Sequence, residues 1–544
     1  MSGICRSSES YNGLQWLVNQ QTIFYETFDT TATQNHYYTN NVLPTNKGNR
    51  TDLVVTYYDN YYVCTKLSTD YKYVALPDFE PSPSDKTKGM TTITKEMIQD
   101  PNNIIQNEPQ YLISVNYYDK YGRTIQTISN NHLGGYEITS NKYNFGGELL
   151  KTQHQHKMPD ATKNITIVQT NSYDNQSRPI ATKMKINNQP AIEISAVEYD
   201  ELGRILNKKL HNKQLCNETY SYNIRNWTNE INAKLLTNNQ QAFLQKIYYN
   251  TGGQKPLYNG NISKIEWMNI NNQMSAYNYF YDANNRLTSA TYSDGTSRNF
   301  STSYTYDLSG NILSLNRFGQ AGQSDTYAQI DQMTYTYAGN QVQWIDDANN
   351  SNCQDNGFKD RGSFKGTTPE YAYDRNGNLV KDQNKELFAI SYNHLNLPTK
   401  ISFYDNIAGE KNIYYLYTPN GTKLRIRAEN TKDYVGSILY ENGELSFIQM
   451  PEGRFVRTQA GTYAPEYYLK DHLGNTRSIL SAAGTILEQD VYYPFGMPIE
   501  SLSYTSTEPQ NQYLYNSKEL QPSYGLDWLE YGARMYDAVV ARWW

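Results

Sequence analysis

The chain has 544 residues, 52 of them tyrosine against 15 phenylalanine and 7 tryptophan, with 19% charged residues and a formal net charge of -6. That length exceeds one ordinary core, so several domains or one elongated array are expected. The acidic balance gives no electrostatic case for binding nucleic acid, and no run of about 18 apolar residues offers a membrane span.

The N-terminal MSGICRSSES lacks the basic and apolar stretches of a signal peptide. Export would therefore use another route, or the sequence begins inside a longer protein. Cys5, Cys64, Cys216 and Cys353 are scattered, without metal spacing or a disulfide framework, and read as incidental. Residues 1–110 show no clear repeat and form an unassigned β-rich region. Strands are expected at Tyr57-Tyr58-Asp59 and from Tyr71 to Ala75, with a loop in DFEPSPSDKTKG from Asp78.

Residues 111–460 are organised differently. YDKYGRTI begins at Tyr118, YDNQSRPI at Tyr173, YDELGRIL at Tyr199, YDANNRLT at Tyr281, YDLSGNIL at Tyr306 and YDRNGNLV at Tyr373. Degenerate copies start at Tyr143, Tyr222, Tyr392, Tyr417 and Tyr440. Self-similarity of this kind marks a repeat architecture. Each copy reads as strand, turn, strand. Aromatics alternate into the tyrosine, as at Tyr277, Tyr279 and Tyr281, which puts the rings on one strand face. The acid that follows (Asp119, Asp200, Asp282, Asp307 or Asp374) can bond backbone two residues on and open a turn. Gly122, Gly203, Gly310 and Gly377 supply the positive φ of a type I turn closed by a bulge. Ile125, Ile205, Leu287, Ile312 and Leu379 start the return strands. Arg123, Arg204 and Arg286 can pair with the aspartate or lie on a neighbouring ring. Choosing Tyr over Phe predicts sheet faces that meet water or a polar cavity.

Two segments inside the array raise the question of metal. His154 and His156 alternate on a strand without a third ligand and read as a solvated face. The polar insertion from Asp346 to Gly366 resembles a calcium loop loosely, but its acids fail the twelve-residue spacing. No metal and no cofactor are expected.

In residues 461–544 the character changes. Asp471-His472-Leu473-Gly474-Asn475-Thr476-Arg477 is followed by Tyr493-Pro494-Phe495-Gly496 and by Tyr531-Gly532-Ala533-Arg534-Met535-Tyr536-Asp537. Tyr492, Tyr493, Phe495, Trp528 and Tyr536 are too apolar together to stay in water, so this segment should pack against the array. The three strings resemble the Rhs repeat-associated core domain, and the array resembles the YD repeats of the same bacterial polymorphic toxins, with a wording like the Bacteroidetes branch. Teneurins are their distant animal relatives.

The resemblance implies an all-β fold in which YD hairpins form a spiralling sheet, a hollow barrel-like shell closed by a C-terminal core plug. It implies a secreted or cell-surface protein whose shell encloses and delivers a C-terminal effector in cis. An immunity protein would then bind the effector and not this chain. Family members can cut the chain after the core with paired carboxylates. Here the sequence ends at Trp544 without the second Asp-Pro segment, Ala538 stands where Pro is usual, and Ala541 where Gly is usual. Asp537 is thus a weak catalytic candidate beside its reading as a turn-forming acid, and no enzyme activity is expected. Two alternatives stay open: a cell-surface adhesion module that binds a target-cell surface or glycan, and an effector enzyme such as a nuclease, which rests on family naming only.

Overall fold

The computed structural model describes residues 2–5, 15, 19–23, 25–42, 50–103, 111–268, 273–322, 325–349, 356–361, 368–404, 411–506 and 510–544. Cys5, Cys353 and about half of the Asp346–Gly366 insertion, residues 350–355 and 362–366, lie outside the described side chains. Strands dominate. Helical structure among the described residues is limited to 3-10 turns, the four-residue His211–Gln214 and residues 15, 19 and 20 near the N-terminus. The chain divides into two units, and the expected all-β class holds in both.

The first unit comprises Met1–Arg178, Met184–Ala191 and Leu416–Leu424. Its strands Arg50–Tyr58, Thr91–Met97, Tyr111–Tyr118, Thr124–Asn130, Tyr136–Tyr143, Leu149–Lys157 and Ile165–Tyr173 each pair antiparallel with the next. Val55, Tyr57, Ile93, Val115 and Ile128 pack beneath them in one cluster. Residues 71–75 are not the strand expected. Ser68 accepts the Asp70 N–H and starts the 3-10 turn Thr69–Tyr71, and the Tyr71 carbonyl accepts the Tyr117 hydroxyl at 2.7 Å. A local cap overrides the alternating pattern there. The solvated-face reading of the two histidines also fails. His154 Nε2 and His156 Nδ1 lie 2.6 and 2.7 Å from the two oxygens of Glu137, and the His156 side chain is buried. The cross-strand acid, which lies 17 residues from His154 in sequence, turned this face inward.

The second unit comprises Pro179–Lys183, Ile192–Tyr415 and Arg425–Trp544. Strands from Ile192–Tyr199 to Gln341–Asp347 pair in chain order as one antiparallel meander. Further meanders run from Tyr371–Tyr373 to Lys411–Tyr417 and from Lys423–Arg427 to Tyr504–Thr505. A small sheet of Glu519–Gln521, Trp528–Glu530, Met535–Asp537 and Arg542–Trp543 ends the chain. Among the described residues no pairing joins the first and last strand of a meander. The expected closure into a barrel is therefore not made by backbone pairing.

The repeat turns follow one geometry. At Asp119 the acid's N–H bonds the Arg123 carbonyl at 3.0 Å, and Gly122 N–H bonds the Asp119 carbonyl at 3.1 Å. Gly122, Gly203, Gly310 and Gly377 all have positive φ, between 81° and 91°. Ser177, Asn226, Asn285 and Asn396 take the same conformation where Gly is missing. The register slips by one residue at the tyrosine itself, as at Phe280/Tyr281 and Thr305/Tyr306, which is the expected bulge.

The arginine does both things the sequence allowed. Arg286 Nε reaches Asp282 Oδ2 at 2.6 Å while its guanidinium lies 4.8 Å from the Tyr306 ring centre. Its NH1 then bonds the Asp307 carbonyl of the next turn at 2.6 Å. Arg123 and Arg204 reach forward likewise, to the Asn144 carbonyl and to Asn226 Oδ1. The rim is thereby tied turn to turn. At Asp307 and Asp374, Asn311 and Asn378 replace the arginine and bond the acid at 2.8 Å. The backbone N–H and then the side chain of Arg286 hold Asp282 below the usual carboxylate range.

The tyrosine hydroxyls explain the composition, and differently from the expected wet face. Tyr222 donates to the Ile205 carbonyl, Tyr281 to Ile262, Tyr306 to Leu287, Tyr337 to Ile312, Tyr373 to Val342 and Tyr392 to Leu379, all at 2.6–3.1 Å. In four of these six cases the acceptor is the first residue of the preceding return strand. Each hydroxyl therefore stitches one hairpin to the one before it, which Phe cannot do. Tyr306→Phe is expected to cost about 1 kcal/mol in urea unfolding, because the Leu287 carbonyl loses its donor. A neutral outcome at both Tyr306 and Tyr392 would show that water replaces the bond without loss.

Candidate functional site

Residues 461–544 do not form a free tail. Tyr492, Tyr493, Trp528 and Tyr536 are all buried, and Phe495 is half-buried. The Tyr493 hydroxyl donates to the Phe318 carbonyl at 2.8 Å, and the Tyr493 ring joins a cluster with Trp267, Tyr277, Tyr292 and Phe300. Tyr304 meets Phe495 edge-on at 4.9 Å. The expected packing of this segment on array strands is thus realised within the second unit.

Each core string makes a turn. Asp471 repeats the YD geometry: its N–H bonds the Asn475 carbonyl, and Gly474 N–H bonds its own carbonyl. Asp471 Oδ1 accepts from the N–H groups of Leu473 and Asn475. Arg477 Nε donates to the Asp490 carbonyl at 2.7 Å, and its guanidinium lies over Phe243. His472 Nδ1 is 3.0 Å from Gln245 Oε1 on the array.

The Pro494 turn is closed by Tyr493 N–H on the Met497 carbonyl at 2.8 Å. A Cβ at Gly496 would sit 2.5 Å from the Tyr515 ring, so only glycine fits. Gly532 has φ +89° in the turn before Arg534, whose guanidinium lies 5.1 Å from the Trp543 ring. The Tyr536 hydroxyl bonds the Phe495 carbonyl at 2.8 Å, joining the second and third strings. No single constellation collects all the predicted residues. The Asp471 turn and the Asp537 strand belong to different sheets.

The chemistry-bearing group is around Asp537. Its Oδ1 accepts the Val539 N–H at 2.9 Å, and its Oδ2 accepts the Trp528 indole N–H at 3.1 Å and faces Lys385 Nζ at 3.5 Å. Both oxygens are occupied, and the Val539 bond is that of a turn-forming aspartate. Close by stand two acids that the sequence reading missed. Asp382 and Glu370 are each 1% exposed. Burial, reinforced by the charge of Asp537, pushes Asp382 up to about 7. Burial also pushes Glu370 up to about 7. Asn384 donates to Glu370 Oε2 at 2.9 Å, and Asp382 Oδ1 accepts the Asn384 and Lys385 N–H groups at 3.0 and 3.1 Å. The Trp544 ring stacks on Tyr371 at 5.2 Å and covers this end.

Such a group can store a proton near neutral pH. Among the described residues no set of three His, Cys, Asp or Glu is placed to hold a metal ion.

A second missed pair was readable in part. Arg317 shares a strand face with Leu315, and Asp331 with Met333 and Tyr335, by period-two spacing. Opposite charges on an inward face were the available signal. They are register partners, with NH1 of Arg317 2.5 Å from Asp331 Oδ2. Arg317 NH2 donates to the Val539 carbonyl at 2.6 Å, and the Tyr335 hydroxyl donates to the Val540 carbonyl at 3.0 Å.

The family model described as the teneurin YD-shell matches residues 226–544. Among solved structures the chain resembles a Tc holotoxin pore from Photorhabdus luminescens, at TM-score 0.61 and 14% identity, over 86% of this chain and 24% of that one. It also resembles TcdB2-TccC3-TEV, at TM-score 0.55 and 14% identity, over 88% of this chain and 26% of that one. The chain therefore spans about a quarter of the length of these structures. No curated protein matches it.

Proposed function

The chain belongs to the teneurin YD-shell family, and on that premise we propose that it is the wall of a secreted or surface-exposed polymorphic toxin of Rhs type, enclosing and delivering a C-terminal effector. The observation that carries the reading is the anchoring of the chain's end on array strands. Arg317 and Tyr335 hold the Val539 and Val540 carbonyls, and Trp544 stacks on Tyr371. Such an end lies against array strands of the second unit. The stitched hairpins beneath it supply a stiff wall. Residues 461–544 act as the Rhs-like core that fixes this exit. No helix among the described residues is long and apolar enough to cross a membrane.

In this proposal the chain performs no catalysis. Asp537 shapes the closing turn, since its two oxygens are taken by Val539, Trp528 and Lys385. The purified chain should run at full length after prolonged incubation, and a discrete fragment lost in Asp537→Asn would restore a protease role.

Enclosure is tested by extending the chain after Trp544 with a small protease-sensitive reporter domain. Trypsin should digest that reporter far more slowly than the free domain under identical conditions. Equal rates would refute enclosure and favour an adhesion role for the wall.

A further inference from the structure

A cavity of about 230 Å³ lies within the second unit, lined among others by Lys208, Glu218, Tyr220, Glu452, Lys470 and His472. It is separate from the Asp537 group and independent of the effector reading. Most of its charges are already matched. Lys208 Nζ lies 2.9 Å from Glu452 Oε2 and 3.1 Å from Glu218 Oε1, and Glu218 Oε2 accepts the Tyr220 hydroxyl at 2.7 Å. Asp471 is held by the Leu473 and Asn475 N–H groups and by Arg477 at 3.6 Å.

Two groups on this wall remain. The Lys470 side chain makes no ion pair or hydrogen bond among the described residues; burial lowers its pKa, and the Glu452 and Glu218 carboxylates act on it only at longer range and in part against that. The second is the outer nitrogen of His472. Gln245 Oε1 receives the backbone N–H of His472 at 3.4 Å and faces Nδ1 at 3.0 Å. A backbone N–H can only donate, so this Gln atom is the oxygen, and Nδ1 must carry hydrogen toward it. In the neutral ring, which burial favours, Nε2 is then a bare acceptor. Lys470 and His472 therefore offer, two residues apart, one cationic donor and one neutral acceptor. The rings of Tyr220, Tyr222 and Tyr468 complete the wall.

We propose that this cavity binds a small hydroxycarboxylic acid, its carboxylate on the Lys470 ammonium and a hydroxyl donating to His472 Nε2. The volume admits a body the size of a six-membered ring, since cavities of about 150 Å³ accept benzene. The tyrosine rings would pack on the faces of that ring.

Titration calorimetry of the full chain with glucuronate tests this, with glucose as the ring lacking the carboxylate and acetate as the carboxylate lacking hydroxyls. Glucuronate should bind at least about tenfold more tightly than either. Lys470→Gln should weaken glucuronate by about tenfold or more, and Lys470→Arg should keep most of the affinity. His472→Phe should reduce glucuronate to the level of acetate. Melting curves for each variant establish that it is folded. The proposal falls if glucose binds as well as glucuronate, or if folded Lys470→Gln binds it unchanged. It falls also if glucuronate shows no binding at about 10 mM, where millimolar affinity would be evident.

Discussion

Replacing Arg317 with methionine is expected to lower the unfolding free energy by about 3–5 kcal/mol, a large loss for one substitution. Arg317 and Asp331 side chains are 3% and 0% exposed. Among the described residues Asp331 keeps the Phe358 N–H, at 2.7 Å on Oδ1, as its hydrogen-bond donor once the guanidinium is gone. A buried carboxylate with one donor is strongly disfavoured, and the Val539 carbonyl loses its partner as well. The double variant Arg317→Met with Asp331→Asn should recover about half of the loss, because the uncompensated charge disappears while an acceptor for Phe358 remains. Hydrogen exchange at Val539 and Val540 should rise in the single variant before global unfolding. A single-variant loss under about 1 kcal/mol would mean that water reaches Asp331, and the anchoring of the chain's end would need another cause.

The second large effect is on pH dependence. Asp382 has a folded pKa of about 7, whereas an unfolded aspartate titrates near 3.9. The folded state therefore binds the extra proton between these values. Its contribution to stability is fully present below about pH 4 and is lost as pH rises through about 7. Asp382→Asn keeps an acceptor for the Asn384 and Lys385 N–H groups and removes the titration. It should leave stability near that of the parent at pH 4 and raise it at pH 8 by a few kcal/mol, since each tenfold change in proton affinity between the folded and unfolded states is worth about 1.4 kcal/mol. Glu370, also near 7, adds a slope of the same sign, so the double variant with Glu370→Gln should be flatter still. Urea unfolding at pH 4, 6 and 8 reads this out. A variant that is less stable than the parent at pH 8 would show that Asp382 is ionised and needed as such.

Much of the wall was legible without coordinates. The YD recurrence, the alternating aromatics and the turn glycines predict antiparallel hairpins with a bulge, and the φ values of Gly122, Gly203, Gly310 and Gly377 agree. These features are local. A turn of a few residues carries its own hydrogen bonds, and period-two alternation states which side of a strand faces inward. The core segment of residues 461–544 could likewise be recognised as too rich in rings to stay in water.

What tertiary structure decided is where the long-range partners lie. No local rule could pair the Tyr306 hydroxyl with the Leu287 carbonyl, since that bond depends on which hairpin lies alongside. The preference for Tyr therefore looked like a wet surface when it is a stitch between repeats. His156 and Glu137 are 19 residues apart, and their pairing turned an expected outer face inward. Asp382 holds its proton to an unusually high pH because it is buried and then because Asp537 lies near, and both arise only after the chain's end has folded back onto the array. Turn chemistry is written into a few adjacent residues. Burial and electrostatic neighbours arise only when distant strands meet, because solvent exclusion and charge proximity belong to the assembled sheet.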